Sequence, residues 1–250
     1  MESQGIRINK YLSKAGVCSR READRQIAEG NVTVDGQAAE PGTRVLPGQK
    51  VFFCGRPVEE EEEMILLAFH KPRGIVCTAE KREKNNVVDY INYPKRIYPV
   101  GRLDKDSEGL LLMTNNGDIV NRIMRAGNVH EKEYLVTVNK PVTEAFLRGL
   151  AGGVPLVELG VTTRRCLVER AGKKEFRIVL TQGLNRQIRR MCEYFGYRVE
   201  KLVRTRIMNI ELGSLESGTY RRVDGEEYRT LLDLIRDSSN ETVIPEKGVR

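Results

Sequence analysis

One carboxylate in this chain is placed to do chemistry. Asp104 lies in a polar turn between two apolar segments, Ile97–Val100 and Leu110–Met113, with Gly101 and Gly109 free to bend the backbone on either side. Held between two buried strands, such a group can be aimed rigidly into a cleft. There it could stabilise positive charge at a carbon, attack that carbon or remove a nearby proton. The same residues also suit a solvated acidic turn, since Asp and Gly favour turns for local reasons. Asp106, two residues on, raises a paired-carboxylate magnesium site, but its neighbours complete no convincing ligand set. Asp106 and Glu108 are expected to organise the loop or face solvent.

Two further groups share that character. Tyr134 alternates with Val136 and Val138 along one face of a strand. It reads as a core tyrosine or as an aromatic wall. Arg186, Arg189 and Arg190 cluster at a helix start. From Thr181 to Arg206 there are seven basic residues, among them Arg204, and only two acids, Glu193 and Glu200. That local excess of positive charge suits a polyanion, as does the formal net charge of +7 for the whole chain.

Short strands mixed with helices must position these groups, which predicts an α+β domain. Met64–Phe69 and Phe176–Leu180 read as strands. Asn185 can cap a helix with the stripe Ile188, Met191, Cys192 and Phe195, ending at Gly196. Ahead of this half, residues 6–53 read as a separate small unit. Ile8, Tyr11, Leu12 and Ala15 have helical spacing, with Gly16 as the stop. Ser19 and Glu22 have the spacing of a capping box, starting a helix that runs to Gly30. Ala23 and Ile27 face inward on it; Arg21 and Arg25 lie roughly opposite. Val32–Val34 enters an Asp35-Gly36 turn, and Gly42, Pro47 and Gly48 punctuate a further hairpin ending at Phe53. The acidic run Glu59–Glu63 repels itself and reads as a linker. The expected division is therefore a front domain over 1–62, a main domain over 63–238 and a disordered tail over 239–250.

Other classes are disfavoured. Five scattered cysteines, odd in number and without a Cys-x-x-Cys pair, read as reduced thiols. His70 and His130 stand far apart, against a histidine metal site or a Ser-His-Asp hydrolase. No apolar run is long enough to cross a bilayer, and the first residues lack a secretory core. A cytoplasmic protein is the expectation.

Three segments carry a family resemblance. Gly101-Arg-Leu-Asp-Lys-Asp-Ser-Glu-Gly-Leu-Leu-Leu-Met-Thr-Asn115 resembles the active-site motif of the pseudouridine synthases, in the branch containing the small- and large-subunit ribosomal RNA enzymes. Glu131-Lys-Glu-Tyr-Leu-Val-Thr-Val138 resembles the family's Lys-x-Tyr strand, and Gly183-Leu-Asn-Arg-Gln-Ile-Arg-Arg-Met191 its third motif. The front unit resembles an S4 RNA-binding domain. The resemblance implies a mixed, mainly antiparallel sheet with the cleft across its middle. It also implies Asp104, Tyr134 and Arg189 as the catalytic set.

In that chemistry the N1–C1′ bond of uridine breaks, the uracil turns, and it rejoins through C5, with no atoms gained or lost. Water must be kept out. Tyr134 would stack on a flipped base. Arg189 would pair with Asp104 and fix its orientation. Arg102 would help hold the nucleotide open, and Arg186, Arg190 and Arg204 would meet RNA, as would Arg20, Arg21 and Arg25 of the front unit.

The implied substrate is structured 23S ribosomal RNA, with a tRNA anticodon as a second target. The implied enzyme is a monomer that needs no cofactor or metal. Arg186 stands where the commoner family form has His, and Ser107 where Thr is frequent; both bear on target choice. The rival reading is a non-catalytic S4-type ribosome-assembly factor that binds rRNA.

Overall fold

The computed structural model describes residues 5–59, 63–80, 82–124 and 128–238. These fall into two compact units. One runs through Ile65 and includes Tyr93–Ile97 and Asn115–Gly117; the other takes Leu66–Asn92, Tyr98–Thr114 and the chain from Asp118. Glu60–Glu62 of the expected linker lie outside the described residues, and so does the expected tail at 239–250.

The first unit begins with β1 (Ile6–Arg7), α1 (Ile8–Lys14) and α2 (Arg20–Ala28). α1 buries Ile8, Tyr11 and Leu12 from the expected stripe. The Glu22 N–H donates to Ser19 Oγ at 3.1 Å, capping α2. The reciprocal half of the capping box does not form. The Glu22 carboxylate instead accepts from Arg25 at 2.7 Å and Gln26 at 3.0 Å, because a charged donor outcompetes the neutral Ser19 amide. β2 (Val32–Val34) and β3 (Gln37–Ala38) form the hairpin across Asp35-Gly36, both at positive φ. β4 (Arg44–Val45), β5 (Val51–Phe53) and β6 (Arg56–Pro57) follow. The further hairpin expected around Pro47-Gly48 is not a local pair: β4 pairs with β1, and β5 returns to β2. A two-residue strand makes too few bonds to fix its own partner, so the shared core of Leu12, Ile27, Val32 and Val51 decides the pairing.

The second unit is built on a mixed sheet of nine strands. In chain order its elements are β7 (Leu66–Lys71), α3 (Val87–Ile91), β8 (Tyr98–Val100), β9 (Glu108–Thr114) and α4 (Gly117–Met124). β10 (Lys132–Val138), α5 (Glu144–Gly152), β11 (Pro155–Leu156), β12 (Val161–Thr162), β13 (Leu167–Arg170) and β14 (Glu175–Leu180) come next. The unit closes with α6 (Gln187–Tyr194), β15 (Val199–Ile207), β16 (Ile210–Glu211), β17 (Tyr220–Arg222) and α7 (Gly225–Leu234). The main path runs β13-β14-β10-β15-β9-β7-β17, antiparallel throughout except where β15 meets β9.

β9 is the pivot of this sheet. Residues Gly109–Met113 are buried, so its apolar run reads as a strand covered on both faces. β7 lies along one edge for its full length, from Leu66 opposite Thr114 to Lys71 opposite Gly109. The other edge changes partner: β8 pairs with Leu112–Thr114, and β15 runs parallel beside Glu108 and Gly109. The loop 101–107 leaves β8 and re-enters as β9 at that change. Two apolar cores flank it. One gathers Phe146, Leu150, Phe176 and Met191; the other gathers Leu66, Leu112, Ile123 and Leu231.

The helix start after β14 differs from expectation. Arg186, not Asn185, precedes α6, in the left-handed region at φ 50 and without a side-chain cap. Gln187 turns back instead, its Oε1 accepting the Leu184 N–H at 3.1 Å. The Asn185 carbonyl meanwhile accepts from Arg190 Nε at 3.2 Å.

Candidate active site

The loop carrying Asp104 is tied down from several directions. Lys71, fully buried at the end of β7, donates from Nζ to the carbonyls of Pro72 and Ser107, each at 2.8 Å. Burial pulls the Lys71 ammonium down from its ordinary value. The Gly74 N–H donates to the Lys105 carbonyl at 2.8 Å, and the Leu103 N–H to Cys77 Sγ at 3.3 Å. Arg189 reaches from α6 to the Asp106 carbonyl and Ser107 Oγ, both at 3.3 Å. Within the loop, the Ser107 N–H closes on the Asp104 carbonyl at 3.1 Å. The Asp104 carboxylate therefore stands on a backbone with little freedom.

The two glycines at its ends are required for different reasons. Gly101 sits at φ +76, where a Cβ would run into the Met124 side chain. Gly109 sits at φ +107 with its open side against the Arg204 backbone, so β9 and β15 approach more closely there than any side chain allows.

A cavity of about 500 Å³ opens beside Asp104. Tyr134, Arg189, Arg186, Arg102, Lys132, Arg204, Cys77 and Leu202 are among its walls. Around the carboxylate, Arg186 Nη1 is 3.8 Å and Arg189 Nε 4.0 Å from Asp104 Oδ2. Arg186 was expected at phosphates and Arg189 alone at the aspartate; the left-handed turn at Arg186 brings both guanidinia to the same oxygen. Arg189 is mostly buried, and that Nε has no hydrogen-bond partner among the described residues. Burial first, then Arg186, pull the Arg189 guanidinium below its ordinary value, against the pull of Asp104 and Asp106.

Arg204 also departs from its expected place on an RNA-facing surface. It is 1% exposed, and its Nε donates to the Leu110 carbonyl at 2.7 Å. The cause is a register shift between β10 and β15. Glu133 faces Arg206 and Tyr134 faces Arg204, so Thr205 is the extra residue of a bulge. Arg204 therefore lines the cavity with Tyr134, while Arg206 pairs with Glu133 at 3.1 Å. Beside Arg204, Lys132 is 5% exposed, and desolvation followed by Arg204 pulls its ammonium down to about 8. Lys132 and Lys71 were not anticipated as site residues. The signal available for Lys132 was its place as the lysine of the Lys-x-Tyr strand, two residues before Tyr134 on the same strand face.

The remaining basic residues are more exposed. Arg102 is exposed at the cavity mouth. Arg190 is engaged by Glu158, in the turn that follows β11, which differs from a side chain left free for phosphates. In the first unit, Arg20, Arg21 and Arg25 are exposed on α2; Arg25 pairs with Glu22 at 2.7 Å.

The comparisons with known proteins agree on one family. The sequence profile described as RNA pseudouridylate synthase matches residues 65–194, and that of the S4 domain matches residues 6–51. A "Dual-specificity RNA pseudouridine synthase RluF" from Escherichia coli (strain K12) is 53% identical over 243 residues, covering 96% of this chain and 83% of that protein. An "Uncharacterized RNA pseudouridine synthase" from Mycobacterium bovis is 37% identical over 94% of this chain and 96% of its own length. Among solved structures, one titled "Crystal structure of pseudouridylate synthase" superposes with a TM-score of 0.67 at 26% identity, covering 91% of this chain and all of that one.

Proposed function

Because the chain belongs to the RNA pseudouridylate synthase family, we propose that the cavity beside Asp104 is where it turns uridine into pseudouridine. The chain is an RNA pseudouridine synthase with an S4 RNA-binding domain ahead of its catalytic domain. The observation that carries the site assignment is the pairing of one carboxylate with two guanidinia, 3.8 and 4.0 Å away, in a cavity that Tyr134 also walls.

A uracil cannot reach Asp104 while stacked in a helix, so the nucleotide must be everted into the cavity. Tyr134 supplies an aromatic face for the everted base. Arg102, at the mouth, fills the space it leaves. Asp104 then assists departure of N1 from C1′, by attack at C1′ or by taking the C2′ proton. Arg186 and Arg189 hold the carboxylate aimed. The base, once seated, excludes water that would otherwise leave an abasic site.

The Escherichia coli relative is named as a dual-specificity enzyme. For this chain the proposed substrates are structured 23S rRNA and, second, a tRNA anticodon. Arg20, Arg21 and Arg25 would bind backbone phosphates from the S4 domain. The same proposal takes the protein as a cytoplasmic monomer, with the domain boundary near residue 62. Among the described residues no helix is long and apolar enough to cross a membrane.

The test is tritium release from rRNA labelled at uracil C5, comparing wild type with Asp104→Asn. Release by the wild type alone assigns Asp104 as the essential group. Release by both moves the chemistry elsewhere in the chain.

A further inference from the structure

We infer that Lys132 and Arg204 form a cationic floor to the cavity that takes up the negative charge of the uracil once it has left the ribose. The inference rests on the assignment of this cavity as the uridine site.

The observation is a charge imbalance in a buried place. Lys132 and Arg204 are 5% and 1% exposed and line the same cavity as Asp104 and Tyr134. Among the described residues, neither forms an ion pair. Lys132 Nζ donates to the His130 carbonyl at 3.3 Å, leaving two of its three donors unused. Arg204 is anchored through Nε to the Leu110 carbonyl at 2.7 Å, while its buried Nη2 has no partner among the described residues. Asp104, the acid of the cavity, is already flanked by Arg186 and Arg189. Burying two adjacent like charges without an acid is costly, and removing either would relieve the fold. Such an arrangement fits an anion that arrives only when the site is occupied.

The reaction generates one. Whether Asp104 bonds to C1′ or removes the C2′ proton, the electron pair of the N1–C1′ bond leaves with the base. The detached uracil is then an anion with its charge shared among N1, O2 and O4. When C5 bonds to C1′, the Asp104–C1′ bond breaks, or C2′ takes back the proton held by Asp104; C5 then gives up its proton and N1 gains one, so atoms and charge balance. Donors fixed beforehand around O2 or O4 stabilise this intermediate more than neutral bound uridine, which is the condition for acceleration. The bulge at Thr205 is what places Arg204 on the Tyr134 face. Lys132 reaches that face by lying two residues before Tyr134.

The test varies the stability of the leaving base. Single-turnover rates of loss of the substrate nucleoside, which read N1–C1′ cleavage, are measured on a ribosomal RNA fragment whose modified position carries either uridine or 5-fluorouridine. The fluorine stabilises the ring anion but leaves C5 no proton to lose, so cleavage and not completed isomerisation is compared. Wild type is compared with Lys132→Met and Lys132→Arg, alongside RNA affinity and thermal unfolding. Lys132→Met should slow uridine by roughly 100-fold, the usual scale for losing one such donor, and 5-fluorouridine by far less. Lys132→Arg should recover most of the rate. Affinity should stay within about twofold of wild type, as expected for an interaction made only after bond cleavage. Equal slowing of both bases overturns the inference, as does a loss confined to affinity, which would mark a ground-state phosphate interaction. Should Lys132→Met fail to fold, Lys132→Gln carries the same comparison. Failure of the underlying site assignment shows separately, as Asp104→Asn retaining activity on both bases.

Discussion

Tyr134 on β10 and Arg204 on β15 are direct cross-strand partners, and the bulge at Thr205 puts Arg204 and Arg206 on opposite faces of the sheet. In a regular strand, residues two apart share a face. Here one arginine enters the cavity, and the other pairs with Glu131 at 3.0 Å and Glu133 at 3.1 Å. The two should respond differently to removal. Arg206→Ala should lower stability by about 1 kcal/mol, the scale of partly exposed pairs, and leave the isomerisation rate within about twofold. Arg204→Met should cut the rate steeply. A rate loss of equal size in both, at matched stability, would remove the functional distinction between the faces.

Gly109 tests the closeness of β9 and β15. At φ +107 it presents its open side to the Arg204 backbone. Gly109→Ala adds a methyl to a left-handed residue and presses it against backbone atoms. A loss of about 2–4 kcal/mol in urea unfolding is expected, from strain plus overpacking. Gly36→Ala, also at positive φ but with open space around it, should lose only about 1 kcal/mol.

Lys71 positions the loop that carries Asp104 without lining the cavity. Its ammonium bridges the Pro72 and Ser107 carbonyls. Lys71→Met should leave two buried acceptors short of a donor, at about 1–3 kcal/mol each. RNA affinity should hold while the single-turnover rate falls at least tenfold. A drop in affinity with an unchanged rate would show that the loop is set by other interactions.

Lys132 gives a pH signature in stability. Its folded value of about 8 lies below the ordinary 10.5. Between those values the unfolded chain binds the extra proton, so this group's contribution to stability rises with pH through that window. Below pH 8 both states are charged and the full burial penalty is present, on the order of 3 kcal/mol. Lys132→Met should therefore be more stable than wild type at pH 7. Less than half of that advantage should remain at about pH 9.5. Paired denaturation curves at the two pH values check this. An advantage independent of pH would mean that packing, not charge, is responsible.

The S4 domain should act through charge. Arg20→Glu and Arg21→Glu change exposed residues on α2, so folding should hold. RNA affinity should fall on all structured RNAs alike, and the slope of log K against log salt should flatten by about 1 for each phosphate no longer neutralised. Unchanged affinity and slope would move RNA recognition off this helix.

Much of this protein was legible in local pattern. The i, i+3, i+4 stripe of α1, the cap at Ser19 and the Asp35-Gly36 hairpin depend on neighbours within a few residues, where steric and capping preferences act directly. The same holds for Asp104 between Gly101 and Gly109: strand, bend and strand can be read along one stretch of chain. Local pattern failed where a choice between equivalent partners was needed. Glu22 turned forward to Arg25, Asn185 lost the N-cap position to Arg186, and β5 paired with β2. In each case competing donors, or a shared core, made the choice.

The chemistry of the cavity belonged to tertiary structure for the same reason. Register between β10 and β15 couples residues about 70 apart, and one extra residue at Thr205 decides whether Arg204 or Arg206 faces Tyr134. A period of two carries no information about where such a bulge falls. Sequence determined which groups exist and which turn presents Asp104. Only packing of β8, β9, β15 and α6 decided that two guanidinia reach its carboxylate and that two further cations lie buried without an acidic partner among the described residues.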